Sequence, residues 1–397
     1  MGNARQLRPG ITEVGARHPD RRLFDELIPL PFGTSYNAYV MQGTEKTALI
    51  DTVDPAKAQV LLDNLAANGI ANIDYVVANH AEQDHSGSIP IILEKFPKAI
   101  VLANKACSKL LKDHLLVPDS RISELSETDQ VSLGAKTLKF IPAPWVHWPE
   151  TMFTYAVEDK VLFTCDYLGA HLSAEELYAQ NDAKLEQAAK MYYAEIMMPY
   201  RRFSRKHLSD VRELRQAEVI APSHGPVYDK PDWILTHYGD WTSDTPRNEC
   251  VILYVSMHAS TKRMVEVLAE SLGRRQVKAS VFNLTDASLS DISIALVDAA
   301  TIVLATPTVL AGPHPAVQNA ANIAALLKPK AKFAAIMVSQ GWGGRAPIIL
   351  QTALTGLPVE LLETVVVTGY PKKADEEKID GLANQIAQKH KAALPGA

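Results

Sequence analysis

Cysteine is scarce in this sequence, and the few cysteines that occur are widely spaced. The three of them, Cys107, Cys165 and Cys250, form no Cys-x-x-Cys pair. This spacing argues against a disulfide framework, an iron–sulfur cluster and a rubredoxin-type site. Each cysteine is therefore predicted to serve as a small buried apolar residue.

Long apolar runs and an excess of basic charge are also missing. No run approaches the roughly 20 apolar residues of a membrane span, and residues 1–31 lack the continuous apolar core of a secretory signal. The net charge of −5 comes from interspersed acids and bases, without the basic stripe typical of nucleic-acid binding. We therefore expect a soluble, cytoplasmic protein whose partner is neither a membrane nor a nucleic acid.

The chain is long enough for two hydrophobic cores, since 397 residues exceed what one core usually serves. The first part mixes a hairpin with helical runs and crossovers, which predicts a layered α+β domain. The hairpin is expected over 34–52, a helix over 55–69, and further strands at 73–80, 99–103, 136–143, 152–158 and 160–166.

Beyond residue 249 the pattern changes to strict alternation of strand-like and helical runs. Such β-α repeats predict a doubly wound, five-stranded parallel sheet. The domain boundary is expected near residues 243–249, which gives domains of 1–247 and 248–397. The five strand-like runs lie at 250–256, 277–284, 301–309, 332–339 and 360–370.

A cluster of histidines and acids follows the predicted strand at 73–80. In NHAEQDHSG, alternate side chains of one loop, His80, Glu82 and Asp84, can converge, and His85 reaches a neighbouring point. A polar solvated loop explains any one of these residues, but four together favour a metal site. One loop cannot complete a two-metal site, so further ligands are expected from distant strand ends.

Three residues have the required position directly after an apolar run: His147, Asp166 and His224. Asp166 ends a buried strand, where an unpaired carboxylate would be costly. Alone, each of the three is also consistent with a capping or surface residue. Jointly, they supply the missing ligands.

In their order and intervals, these seven residues resemble the metallo-β-lactamase-like αββα domain of the flavodiiron proteins, or A-type flavoproteins. Zinc hydrolases of this fold carry His-x-His-x-Asp-His, whereas Glu82 replaces an imidazole by a harder carboxylate that suits iron. The resemblance implies one iron at His80, Glu82 and His147, and Asp166 as the bridge. It assigns the other iron to Asp84, His85 and His224, although the family does not always use the histidine at the position of His85.

Three further residues near these strands have two interpretations each. His171 either lines the substrate pocket or is a turn histidine. Tyr192 and Tyr193 lie in a Met-rich and Tyr-rich stretch typical of a core, and one of them is a candidate hydrogen-bond donor to an iron-bound ligand.

In the second domain, the informative residues follow the carboxyl ends of the strands. The first such turn offers hydroxyls and a helix N-terminus, which suits a phosphate, and it lacks the Gly-x-Gly-x-x-Gly pattern of dinucleotide sites. With two later loops it resembles the FMN-binding segments of flavodoxin-like domains, except that His258-Ala259 replaces a frequent Tyr-Gly pair. The implied FMN contacts are Ser256, Met257, His258, Ala259, Ser260, Thr261, Pro307, Thr308, Ser339, Gln340, Gly341, Trp342, Gly343 and Gly344.

The resemblance spans about residues 20–393 and implies the minimal two-domain form without a fused rubredoxin. The implied activity is reduction of O2 to water, of NO to nitrous oxide, or of both, at two non-haem irons with electrons relayed through FMN. Rubredoxin, a reductase or a deazaflavin is the implied donor, and a head-to-tail homodimer or dimer of dimers the implied assembly. The alternatives are a zinc hydrolase with a fused flavodoxin domain and an electron-transfer or redox-sensing protein without turnover.

Overall fold

The chain divides into two compact units between Thr242 and Ser243. This computed structural model describes residues 5–214 and 217–394. None of the helices within those ranges combines the length and the hydrophobicity that a bilayer span requires.

The first unit consists of short strands interspersed with helices. Its strands are β1 (Arg5–Arg8), β2 (Ile11–Glu13), β3 (Ala16–His18), β4 (Leu23–Phe24), β5 (Ile28–Pro29), β6 (Thr34–Tyr36), β7 (Tyr39–Gln42), β8 (Thr47–Ile50), β9 (Tyr75–Val77), β10 (Ile100–Asn104), β11 (Ile122–Leu125), β12 (Gln130–Ser132), β13 (Thr137–Pro142), β14 (Met152–Ala156), β15 (Val161–Cys165) and β16 (Val219–Pro222). Its helices are α1 (Ala58–Ala67), α2 (Gln83–Ser86), α3 (Ile89–Lys95), α4 (Lys105–Leu115), α5 (Ala183–Tyr192), α6 (Arg201–Glu213) and α7 (Asp232–Trp241).

Most of these strands form two sheets. One has the order β1-β2-β7-β8-β9-β10-β11, and the other has the order β12-β13-β14-β15-β16. The predicted hairpin is present as β7 and β8, whereas β6, which we expected to join it, pairs with β3 instead. The predicted helix is also present, and Gly69, at a φ of +66°, follows it.

Side-chain alternation along the strands explains how the layers stack. In β7, Val40 belongs to the cluster that contains Leu61 of α1 and Ile92 of α3. Its neighbour Met41 belongs to a second cluster, which also contains Phe163 of the other sheet. Because successive strand residues face opposite sides, one face of the first sheet packs on helices and the other on the second sheet. The predicted αββα arrangement is confirmed.

The second unit contains the predicted parallel sheet. Its central order is β18-β17-β19-β21, and both β22 and β23 pair parallel to β21, which is the flavodoxin-like order. Its strands are β17 (Arg247–Tyr254), β18 (Lys278–Asn283), β19 (Ala299–Val309), β20 (Gly312–Pro313), β21 (Phe333–Gln340), β22 (Glu360–Leu361) and β23 (Val365–Thr368). Its helices are α8 (Ser260–Arg274), α9 (Leu289–Asp298), α10 (Pro315–Leu327), α11 (Ala346–Leu354) and α12 (Lys373–Ala393).

Two details of this sheet differ from the sequence expectation. The fifth strand is divided into β22 and β23, and both residues of β22 are exposed at the sheet edge. In addition, β19 turns back into the short antiparallel β20 through Leu310 and Ala311, which both have positive φ. Two such residues in a two-residue loop match the twist of a tight hairpin.

Candidate functional site

The histidine and acid motif lies after β9 and on the short helix α2. Glu82 directly precedes α2 with an extended backbone, and Asp84 and His85 lie within the helix. The expectation of one extended loop was therefore wrong for these last two residues. They project from a helical turn about 100° apart, so they reach neighbouring points.

The distant ligand candidates come from strand ends and one loop. Asp166 follows β15 and His224 follows β16, and these two strands pair in parallel. Because the carboxyl ends of parallel strands meet at one sheet edge, the two side chains are brought together. His147 lies in the loop between β13 and β14, where the Val146–His147 peptide is cis.

A first group of donors is formed by His80, Glu82, His147 and Asp166, whose ligand atoms all lie within 4.8 Å of one another. Glu82 Oε2 is 3.2 Å from His80 Nε2 and 3.0 Å from His147 Nε2. The Oδ2 atom of Asp166 is 3.5 Å from His80 Nε2 and 3.4 Å from His147 Nε2. These atoms converge on a volume suited to one metal ion.

A second group is formed by Asp84, His85 and His224. Asp84 is 3.3 Å from His85 Nε2 through Oδ1 and 3.2 Å from His224 Nε2 through Oδ2. The other oxygen of Asp166, Oδ1, is 2.9 Å from His85 Nε2 and 3.3 Å from His224 Nε2. The two oxygens of Asp166 thus face different groups, as a bridging carboxylate requires.

A separate cavity of about 210 Å³ lies at the carboxyl edge of the sheet in the second unit. It contains residues from all three predicted flavin loops and also Gly369, which follows β23. The predicted residues Ser256, Ala259, Trp342, Gly343 and Gly344 do not line it. The lining consists of Met257, His258, Ser260, Thr261, Pro307, Thr308, Ser339, Gln340, Gly341 and Gly369.

Comparisons with known proteins identify relatives that match this chain over most of its length. Residues 34–225 match the family described as ODP family beta lactamase. A nitric oxide reductase of Moorella thermoacetica is 33% identical, covering 89% of this chain and 90% of its own. A type A flavoprotein of Rhodobacter capsulatus is 31% identical over 96% of this chain and 90% of its own. The rubredoxin oxygen:oxidoreductase structure from Desulfovibrio gigas has a TM-score of 0.94 at 29% identity, covering 98% and 99% of the two chains.

The chain belongs to the flavodiiron family. The cofactors of that family are a flavin and a pair of non-haem irons, so the geometry of this flavodiiron protein can be tested against both.

The two groups of donor residues are suited to bind cations. Both oxygens of Asp84 and of Asp166, and both ring nitrogens of His85, are buried without a hydrogen bond of acceptable geometry among the described residues. Buried carboxylates without partners are costly, and a bound cation removes that cost. The mixture of carboxylates and imidazoles suits iron.

The histidines of these groups retain protons when no metal is bound. Burial alone would lower the pKa of His147, but the neighbouring carboxylates of Asp166 and Glu82 raise it to about 9. Burial would also lower the pKa of His224, but the neighbouring carboxylates of Asp166 and Asp84 raise it to about 10. Metal binding to the flavodiiron protein must therefore release protons.

The walls beside the second group include His171 and Tyr192. His171 is buried, its Nδ1 lies 3.0 Å from Thr34 Oγ1, and its ring lies 4.8 Å from that of His224. The ring of Tyr192 is 4.8 Å from that of His171. Tyr193, in contrast, donates its hydroxyl to the carbonyl of Trp241 at 3.0 Å. Of the two tyrosines, Tyr192 is therefore the one at the site.

Sequence reasoning missed two residues of the metal site. Glu150 lies 2.7 Å from His80 Nδ1 through Oε1, and its only signal was an acid three residues after His147. The thiol of Cys165, buried as predicted, also lies within 4.8 Å of ligand atoms of His85 and Asp166. Burial raises the pKa of this thiol well above its usual range, so the metal-free protein keeps it protonated.

The flavin loops fit a phosphate and a flat ring. Ala259, at a φ of +64°, precedes the 15-residue helix α8, and Ser256 Oγ accepts the backbone N–H of Lys262 at 3.1 Å. The Ser256 hydroxyl therefore satisfies one backbone N–H in the first turn of α8. A Cβ at Gly344 would lie 2.6 Å from a methyl carbon of Thr308, so a glycine lets the two flavin loops approach each other.

Proposed function

We propose that this flavodiiron protein reduces O2 to water, NO to nitrous oxide, or both, with the metals in residues 1–247 and FMN in residues 248–397. The observation that carries the proposal is the division of the Asp166 carboxylate between two groups of donors, one of which contains Glu82 in place of a histidine. When bound, the flavin supplies electrons and the iron pair binds the diatomic gas.

The protein residues have distinct tasks in this proposal. His80, Glu82 and His147 hold the first iron, and Asp166 holds both. The carboxylate of Glu82 favours iron over zinc because it makes the ligand set harder. The second iron is held by Asp84, His85 and His224.

Residues around the second group shape the space for the gas. Phe24 packs its ring 5.0 Å from that of His171 and 6.4 Å from that of His224, so it limits the entry of water. Tyr192 is the proposed hydrogen-bond donor to the bound substrate. Its buried hydroxyl has a pKa well above the usual range because of burial, so it keeps its proton.

The flavin is held by the loops at the carboxyl edge of the second unit. Ser260, Thr261 and the N-terminal amides of α8 are the proposed phosphate contacts. Thr261 and Ser339 join two of these loops through a buried hydroxyl–hydroxyl bond of 2.8 Å. Trp342 supplies an aromatic face for the ring.

The partners are proposed from the family. The related structure from Desulfovibrio gigas carries rubredoxin in its name, which supports rubredoxin as donor, with a reductase or a deazaflavin as alternatives. We also propose a head-to-tail homodimer or a dimer of dimers. The three cysteines are free, which fits the reducing cytoplasm proposed for this protein.

The zinc-hydrolase alternative is not favoured, since the relatives are named as oxidoreductases. The decisive experiment is stopped-flow oxidation of the reduced protein by O2 and by NO, side by side, together with metal and flavin analysis. We expect about two irons and one FMN per chain and rapid flavin oxidation by at least one gas. About two zinc ions without iron, or iron and FMN without consumption of either gas, would contradict the proposal.

A further inference from the structure

The histidines of the two donor groups differ in the hydrogen bonds that hold their rings on the side away from the metal positions. In the first group, His80 donates through Nδ1 to Glu150 Oε1 at 2.7 Å, and both side chains are 0% exposed. The backbone N–H of Ala81 donates to the same oxygen at 3.1 Å. A carboxylate therefore fixes the His80 ring with Nε2 facing the metal position.

In the second group, no carboxylate among the described residues accepts a hydrogen bond from the Nδ1 atom of either histidine. His224 donates through Nδ1 to the backbone carbonyl of Ser35 at 2.6 Å, which is a neutral acceptor. His85 Nδ1 is buried without any hydrogen-bond partner among the residues that the structure describes. The ring of His224 is thus held by a neutral carbonyl, whereas no hydrogen bond among the described residues holds the Nδ1 atom of His85.

Glu150 is held in place by its surroundings. Its backbone carbonyl accepts the side-chain amide of Asn104 at 2.5 Å, and the side-chain oxygen of Asn104 caps α4 through the N–H of Cys107. Glu150 also lines a second cavity of about 210 Å³ with apolar residues such as Phe140 and Met152. Glu150 itself is buried, and at a buried position a fixed charge acts more strongly than in water.

We propose that Glu150 is a positioning residue that makes the two metal positions unequal. By accepting the His80 proton, it makes Nε2 the ligand atom and increases the basicity of the ring. The metal at His80, Glu82 and His147 is then held more tightly than the other. Because a more basic ligand stabilises the ferric state, this iron also has the lower midpoint potential. An iron held by Asp84, His85 and His224 would then have the higher midpoint potential. This inference rests on the proposed function.

The test compares three variants of the full chain with the wild type. Glu150→Gln keeps an acceptor for His80 but removes the charge, and Glu150→Ala removes both. Glu127→Gln is the matched control, because Glu127 lines the same cavity as an exposed residue. Each apoprotein is titrated anaerobically with Fe(II), and the midpoint potentials of the reloaded proteins are measured.

We expect two resolved Fe(II) binding steps in the wild type. Glu150→Ala should weaken one of them by about 10–100-fold, the usual cost of losing such a partner, and leave the other unchanged. Glu150→Gln should bring the two midpoint potentials closer by raising the lower one. Glu127→Gln should change neither quantity.

Equal weakening of both steps, or an unchanged separation of potentials in Glu150→Gln, would overturn the proposal. The glutamine variant keeps the test decisive if Glu150→Ala fails to fold. A wild type that binds no iron pair would instead contradict the proposed function itself. A wild type that binds two irons and reduces either gas, but with equal affinities and potentials at both positions, would contradict this inference alone.

Discussion

The metal groups and the flavin cavity are built in opposite ways. In the first unit, the donor side chains are at most 12% exposed and converge in two groups. In the second unit, Trp342 is 98% exposed and Met257 is 52% exposed at the loops predicted to hold the flavin. Buried carboxylates are costly without a compensating cation, whereas exposed loops carry no such cost. Removing metal ligands should therefore have larger consequences than removing flavin contacts.

The pKa values of buried histidines also differ between the two units. In the first unit, carboxylates raise the pKa values of His147 and His224 to about 9 and about 10. In the second unit, burial lowers the pKa of His390 to about 4. Neighbouring carboxylates thus keep the buried histidines of the first unit charged at neutral pH, whereas the buried ring of His390 is neutral there.

The largest effect is expected from Asp166→Ala. Among the described residues, Asp166 alone has a carboxylate that faces both donor groups, so the two proposed metal positions should lose their shared ligand. Iron should fall from about two ions per chain to well below one, while FMN stays bound. Metal analysis and the flavin absorbance of the purified protein measure the two quantities.

Asp113→Ala is a suitable control for that experiment, since Asp113 lies on the exposed face of α4 and pairs with Lys109. It should retain both cofactors. Full iron occupancy in Asp166→Ala would show that Asp166 is not the bridge.

The next effect concerns metal identity rather than metal content. Glu82→His should shift the bound metal from iron towards zinc, because an imidazole replaces the carboxylate between His80 and His147. The iron-to-zinc ratio after growth with both metals measures this shift. Glu82→Gln separates loss of charge from gain of an imidazole. If Glu82→His leaves the ratio unaltered, the carboxylate does not determine the metal.

The part of the site that could be predicted from the sequence consists of residues that directly follow predicted strands. Asp166 and His224 follow apolar runs whose parallel pairing brings them together, so a local pattern was enough to find them. Glu150 could not be found in that way, because its role depends on a contact with His80, which is 70 residues distant in the chain. A hydrogen bond between two buried residues that are distant in the chain depends on tertiary packing, and the periodicity of the sequence does not indicate it.

The loops predicted to hold the flavin could likewise be predicted only in part from the sequence. Alternating strands and helices predicted the parallel sheet and therefore the edge at which its loops meet. Gly369 follows the last strand and was missed, because we predicted flavin contacts only in the loops after the first, third and fourth strands. The division of the fifth strand and the tight turn into β20 depend on edge exposure and on positive φ at Leu310 and Ala311, neither of which a strand pattern indicates.

A smaller effect is expected from acid on the second unit. His390 is 1% exposed, and its ring nitrogens contact Thr301 Oγ1 at 2.7 Å and Asn248 Oδ1 at 2.8 Å. Burial lowers its folded-state pKa to about 4, below the value of about 6.5 in an unfolded chain. Between these values the unfolded chain binds the extra proton, so the free energy of unfolding falls as the pH falls and levels off below pH 4.

From pH 7 to pH 5 this group should remove on the order of 2 kcal/mol from the stability of the second unit. Hydrogen exchange of peptides from β19 and β21 measures that loss, with peptides of the first unit as internal reference. In the first unit the raised histidine pKa values act in the other direction, since their contribution is complete below about pH 6.5 and is lost progressively as the pH rises to about 9 to 10. His390→Gln should flatten the acid dependence, and an unchanged slope would show that another group causes it.

The smallest effect is expected from Trp342→Ala. Stacking on an aromatic face contributes roughly 0.5–1.5 kcal/mol beyond area burial, so FMN affinity should fall by about two- to tenfold and the flavin spectrum should shift. Leu326→Ala, which truncates another exposed apolar side chain of the same unit, is the control. Because the ring of Trp342 is open to solvent, its loss leaves no cavity and no unpaired charge, unlike the loss of Asp166. Unchanged affinity and spectrum would remove Trp342 from the flavin site, whereas loss of iron in this variant would contradict the separation of the two sites.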